Sequence, residues 1–186
     1  WKPNSNFQLT ATLNPDFGQV ESDDLVVNFD AVETFFSDKR PFFTENQSLF
    51  NVGFGAGNSR LIYTRRVSGD VTAALKLNGS LGDLNYGVFA ATEADDAGRD
   101  FYALRLTRDF GQQDFGFMAT QVNTPSMDRL ANVYSVDHHW KPNDQWNVVT
   151  QFVASDILQN GINTQDTGMQ IRINRELKDG WRDNLY

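Results

Sequence analysis

Apolar and polar side chains alternate with a period of two over most of the chain from about residue 70 onward. Val71, Ala73, Leu75, Leu77, Gly79 and Leu81 form one set, with Thr72, Lys76, Asn78 and Ser80 between them. In an extended strand such sets point to opposite faces. Near the end, Met169, Ile171, Ile173 and Leu177 alternate with Gln170, Arg172, Asn174 and Glu176, and Arg175 interrupts the apolar set. The same reading predicts strands over 84–93, 101–109, 114–123, 131–140 and 146–155. Each is about ten residues long, more than the ~5–6 common in globular sheets. The connections alternate in apparent length. Gly82-Asp83, Phe110 to Gln113, Lys141 to Gln145 and Lys178 to Gly180 are short, whereas 94–100, 123–130 and 156–167 read as long polar loops. In an up-and-down meander alternate connections share one end, so the pattern predicts tight turns at one end and long loops at the other, as in outer-membrane barrels.

Residues 1–60 read differently from 61–186, which are expected to be antiparallel hairpins. Phe7 to Leu13 alternates as a strand and Leu25 to Phe29 as a shorter one. Asp30 and Glu33 resemble a capping box. Val32, Phe35 and Phe36 would then share a face of a short helix stopped before Pro41. Nine of the 15 Phe residues precede residue 55, a density that calls for a buried setting. Gly53 to Gly57 reads as a flexible link. Trp1-Lys2-Pro3-Asn4 recurs as Trp140-Lys141-Pro142-Asn143. Both copies read as strand end, tight turn and new strand, with aromatics placed as in an interfacial girdle. The echo predicts that Trp1 ends a preceding strand, and Trp181 to Tyr186 reads as a strand just begun, so both ends are expected to be cut within the sheet.

Composition narrows the classes. Hydrophobic residues make up 40% of the 186 and charged residues 22%, too mixed for disorder. No apolar run approaches the ~18 residues of a membrane-crossing helix, but a barrel strand crosses with ~9–11 and needs only alternate apolar residues. The net charge of −8 argues against a nucleic-acid partner, whose phosphates call for Lys and Arg. The absence of cysteine excludes disulfides and thiolate metal sites. No signal peptide is visible, and a chain starting at Trp1 is expected to be a processed product or a piece.

Three stretches carry a resemblance. Asn14 to Phe43 (NPDFGQVESDDLVVNFDAVETFFSDKRPFF), Leu61 to Val67 (LIYTRRV) and Ala74 to Gly79 (ALKLNG) resemble motifs of a bacterial envelope family. Its members carry a family-9 carbohydrate-binding-like domain followed by domain-of-unknown-function family 5916. The resemblance is specific over residues 5–80. Ser37 and Asp38 stand where the family usually has Pro and Glu, which weakens the turn before Lys39-Arg40. The resemblance implies an outer-membrane barrel downstream of a periplasmic or surface module. It assigns no functional residues.

The candidate chemistry is sparse. His138 and His139 are the only histidines, and as strand neighbours they face opposite ways, so they do not chelate one metal. Asp137 and His139 share a face but supply two ligands where a site needs three or four. Glu21, Asp23 and Asp24, and Asp95, Asp96 and Asp100, lack the spacing of a calcium loop. Gly53, Gly55 and Gly57 lack the following Lys and helix of a phosphate loop. No nucleophile elbow is present, and no two carboxylates stand out as a glycosidase pair. No cofactor, metal or catalytic residue is therefore expected, and the chain does not read as an enzyme. Lys39-Arg40 and Arg65-Arg66 are a candidate anion clamp or, as the favoured reading, structural partners of Glu33 and Glu45.

The expected fold is all-β: an antiparallel up-and-down meander, part of an outer-membrane-type barrel, with an irregular Phe-rich N-terminal segment at its mouth or inside it as a constriction. Lys76, Arg105, Asp109, Asp137, Arg172 and Glu176 would face a polar lumen. The expected partners are outer-membrane lipid and a carbohydrate or envelope protein, and the expected role is transport, surface binding or anchoring. A soluble carbohydrate-binding module is the competing expectation, and an envelope hydrolase a remote third.

Overall fold

The fold was analysed in a computed structural model, which describes residues 1–2, 6–15, 40–45, 47–54, 60–62, 64, 67, 71–94, 98–176 and 182–185. Its strands are β1 (Phe7–Leu13), β2 (Val71–Leu81), β3 (Leu84–Glu93), β4 (Asp100–Asp109), β5 (Gln113–Thr124), β6 (Arg129–Asn143), β7 (Trp146–Gln159), β8 (Ile162–Glu176) and β9 (Arg182–Leu185). They form one antiparallel sheet in the order β1 to β9, each strand beside its sequence neighbour. The sheet is open, with β1 and β9 at its edges. Among the described residues between β1 and β2 are a short helix, α1 (Pro41–Thr44), and a 3-10 turn over Gln47–Phe50.

The predicted alternation is observed from Ala73 onward, whereas a register shift between Val71 and Ala73 turns Val71 into the inner core. One face carries Leu9, Leu77, Val88, Leu104, Ala119, Tyr134 and Ala154, which lie opposite one another on successive strands. The other carries Thr10, Lys76, Phe89, Ala103, Thr120 and Val133. Burial does not follow polarity alone. Lys76, Ser135 and Gln151 are 1–2% exposed, whereas Phe152, Tyr134 and Ile171 are 45–47% exposed. We call the buried face inner and the apolar exposed face outer. The core is formed where the segment between β1 and β2 packs on the inner face. There Phe43, Phe50, Val52 and Val67 meet Val71, Ala74, Phe89, Ala91, Ala103 and Met118.

Two expectations are corrected. Residues 156–167 are not a loop. β7 and β8 run through them and turn at Asn160-Gly161, where φ values of 50° and 76° fit the left-handed pair of a tight type I′ hairpin. Residues 123–130 shrink to a turn between Thr124 and Arg129. The connection between Glu93 and Asp100 stays longer than the 82–83, 110–112 and 144–145 turns at the opposite end, but the 160–161 turn is as tight as they are, so the predicted sorting by length holds only in part. The reason is that Asp156, Asn163, Gln165 and Asp166 are polar on both faces, which reads as loop, while ladder bonding uses only the backbone. The helix expected to carry Val32, Phe35 and Phe36 lies outside the described residues, and α1 is a separate helix that starts with Pro41 in its first turn, where the missing N–H costs nothing. The expected strand at Leu25 to Phe29 and the capping box at Asp30 and Glu33 lie outside the described residues.

The Trp-Lys-Pro-Asn echo is structural. Trp140 pairs with Val148 across β6 and β7. Trp1 stands in the same relation to Leu9: its ammonium donates to the Leu9 carbonyl at 2.7 Å, and the Leu9 N–H donates back at 2.9 Å.

Candidate functional site

The inner face, with the segment seated on it, gathers most of the polar side chains that the sequence singled out. Arg105 on β4 and Asp137 on β6 form a bidentate pair, Nη1 to Oδ2 at 2.5 Å and Nη2 to Oδ1 at 2.8 Å. The pair bridges β5 by passing over Gly116. A Cβ at that position would stand 2.4 Å from Asp137 Oδ1 and 2.5 Å from Arg105 Nη2. Beside it, Gln151 Nε2 donates to Ser135 Oγ at 2.9 Å, and Gln170 Nε2 donates to Gln151 Oε1 at 3.1 Å. This amide chain links β6, β7 and β8. Buried polar groups of this kind are stable only when partnered.

Lys76 is the second buried cation. Its ammonium donates to the carbonyls of Phe42 and Glu45, at the C-terminal end of α1. That is where unsatisfied helix carbonyls favour positive charge. Phe43 and Phe50 lie 6.0 and 6.5 Å from the Phe89 ring. Arg40 fastens the same segment to itself. Its guanidinium donates to the Thr64 and Val67 carbonyls at 2.8 and 3.0 Å and lies 4.1 Å over the Phe43 ring. Arg40 thus holds backbone carbonyls of its own segment, a different set of partners from the Glu33 and Glu45 that the sequence suggested. Lys39, Arg65 and Arg66 lie outside the described residues.

The remaining candidates spread along the sheet. Asp109 is exposed at the end of β4, where its Oδ1 accepts from the Gly111 N–H. Arg172 and Glu176 share the inner parity of β8, and with Lys141, Asn147 and Asn174 they border a cleft of about 660 Å³. His138 stacks on Phe115 at 4.4 Å on the outer side, while His139 on the inner side contacts Asn147 and Asp114. Among the described residues no three metal-binding side chains converge. Asp100 bonds Thr92 and Asn123. Glu21, Asp23, Asp24, Asp95 and Asp96 lie outside the described residues, as do Gly55 and Gly57.

Two features escaped the sequence reading. One is the set of inner-face glycines, Gly87, Gly116 and Gly168, each occupied by a side chain from elsewhere. Glycine inside a strand marks such close approach, and their common parity was a usable signal. The other is an aromatic and cationic rim on the outer face. Arg175 lies 5.1 Å over Trp146, and Arg108 lies 4.8 Å over Phe110, which in turn meets Phe115 edge-on. All stand near the end that holds the 82–83, 110–112 and 144–145 turns.

A family profile described as Domain of unknown function (DUF5916) matches residues 2–83. The match runs from before β1 to the β2–β3 turn and so spans the segment and the lysine that holds it. Neither the curated proteins nor the solved structures give a match.

Proposed function

The N-terminal part of the chain, residues 2–83, belongs to the DUF5916 family, and from that premise we propose that the protein is part of a β-barrel of the bacterial outer membrane, with its outer face in lipid and its inner face lining a polar lumen. The carrying observation is the contrast between the faces: large apolar side chains stand exposed on one, and Lys76, Arg105, Ser135 and Gln151 are buried on the other beside an apolar core. Water penalises an apolar surface that runs across eight strands, and soluble monomers rarely expose more than about 300–600 Å² contiguously. Lipid removes the penalty. The dimensions agree. On β7 the outer positions from Trp146 through Val148, Thr150 and Phe152 to Ala154 cover about 27 Å of strand. At a tilt of ~40° that spans about 21 Å, near the ~25 Å apolar band of such barrels. Trp146, Phe110 and Phe115 would form the interfacial girdle at one edge, with Arg175 and Arg108 reaching toward headgroup phosphates. Asn132, Asp156 and Gln165 would lie beyond the other edge. Within this reading the chain serves passage of solutes, surface binding, or anchoring of an attached carbohydrate-binding-like module.

The test is fractionation followed by folding into vesicles of brominated phosphatidylcholine. Recovery in the outer-membrane fraction, with tryptophan emission quenched by bromine near the interface, is the expected result. A chain that stays soluble without detergent and is not quenched overturns the proposal in favour of a soluble all-β module.

A further inference from the structure

One register row crosses the inner face. Asn78, Gly87, Arg105, Met118, Ser135, Val153 and Gly168 lie opposite one another on β2 through β8. From Gly87 to Val153 every member is buried. A glycine stands on β3 and another on β8, and the segment between β1 and β2 fills both notches. A Cβ at Gly87 would stand 2.4 Å from Leu49 Cδ2 and 2.8 Å from Phe50 Cζ, and one at Gly168 would stand 2.7 Å from Phe54 Cζ. The stretch from Leu49 to Phe54 therefore touches β3 at one end and β8 at the other, with β4 to β7 between them.

The two attachments differ in kind. On the β2–β3 side, Lys76 holds two carbonyls, Phe43 and Phe50 pack on Phe89, and Leu49 sits in the Gly87 notch. On the β8 side, the Phe54 ring lies over Gly168, with Gly53 beside it in the chain.

We infer that Leu49–Phe54 is a bar across the lumen, hinged on β3, and that withdrawal of Phe54 from the Gly168 notch opens a passage for small uncharged polar solutes. The inference rests on the barrel reading above. Its solute class follows from the groups along and beside the row. Arg105 and Asp137 cancel in charge, and Ser135, Gln151 and Gln170 offer neutral donors and acceptors. Such a wall hydrates polyols without selecting an ion.

Osmotic swelling of proteoliposomes in mannitol tests it, with the full-length protein and the variants Phe54→Ala and Gly168→Val. The first removes the ring, and the second fills the notch and expels it. Both variants are expected to insert as the wild type does and to swell several-fold faster. Insertion with unchanged swelling in Phe54→Ala overturns the bar and leaves the barrel reading standing. If Gly168→Val does not insert, Phe54→Ala alone decides. Failure of the wild type itself to insert overturns both.

Discussion

Replacing Gly116 with alanine should split the Arg105–Asp137 pair without touching either partner. The added methyl would stand 2.4 Å from one Asp137 oxygen, 2.5 Å from the other and 2.5 Å from an Arg105 nitrogen. The bidentate geometry across β5 would then be lost. Breaking a buried pair costs about 3–5 kcal/mol. Here the Asp137 side chain keeps 23% of its exposure against 9% for Arg105, so partial hydration lowers the figure to about 2–3 kcal/mol. Alanine itself is favoured over glycine in a strand by about 0.5–1 kcal/mol, which leaves a net loss of about 2 kcal/mol. In an Arg105→Ala/Asp137→Ala background the three atoms nearest the added methyl are gone, and the same substitution should be neutral or slightly stabilising. The coupling between the pair and the glycine is therefore about 2–3 kcal/mol. Urea unfolding of the vesicle-folded protein, followed by tryptophan emission, measures all four corners of the cycle. An equal cost of Gly116→Ala in both backgrounds would refute the claim that the glycine exists to let the pair cross.

The remaining predictions concern the faces, the latch and the ends. Ile171→Arg should lose about 2–4 kcal/mol of stability in lipid, as a cation on the lipid face near the midplane does, while Asn78→Arg on the inner face should be tolerated; equal losses would invert the facing. Lys76→Met should strip the charged donor from the Phe42 and Glu45 carbonyls, so limited proteolysis should cut within residues 40–54 sooner while β4 to β8 stay intact; an unchanged cleavage rate would deny Lys76 its latching role. Asn160→Cys in the β7–β8 turn should react with an impermeant maleimide on intact cells, and Asp144→Cys in the β6–β7 turn only after the outer membrane is broken. The reverse pattern would turn the barrel over.

The alternation of side chains was enough to determine the all-β class, the meander order and the two faces, because a period of two leaves each residue only one of two sides. Lys76, Arg105 and Asp137 were assignable to the inner face for that reason alone. Strand ends were not legible where Asp156, Asn163 and Gln165 continue as strand beyond the apolar band, since ladder hydrogen bonds ask nothing of side chains. Which inner residues meet was a matter of tertiary structure. Arg105 and Asp137 are 32 residues apart, and only the register of two hairpins brings them together over Gly116. The seat of the Phe-rich segment was likewise undecided by sequence. Its aromatic content called for burial, but the place of burial depends on Gly87 and Gly168 falling in one row on strands far apart in the chain. Long-range register decides that, and local pattern does not encode it.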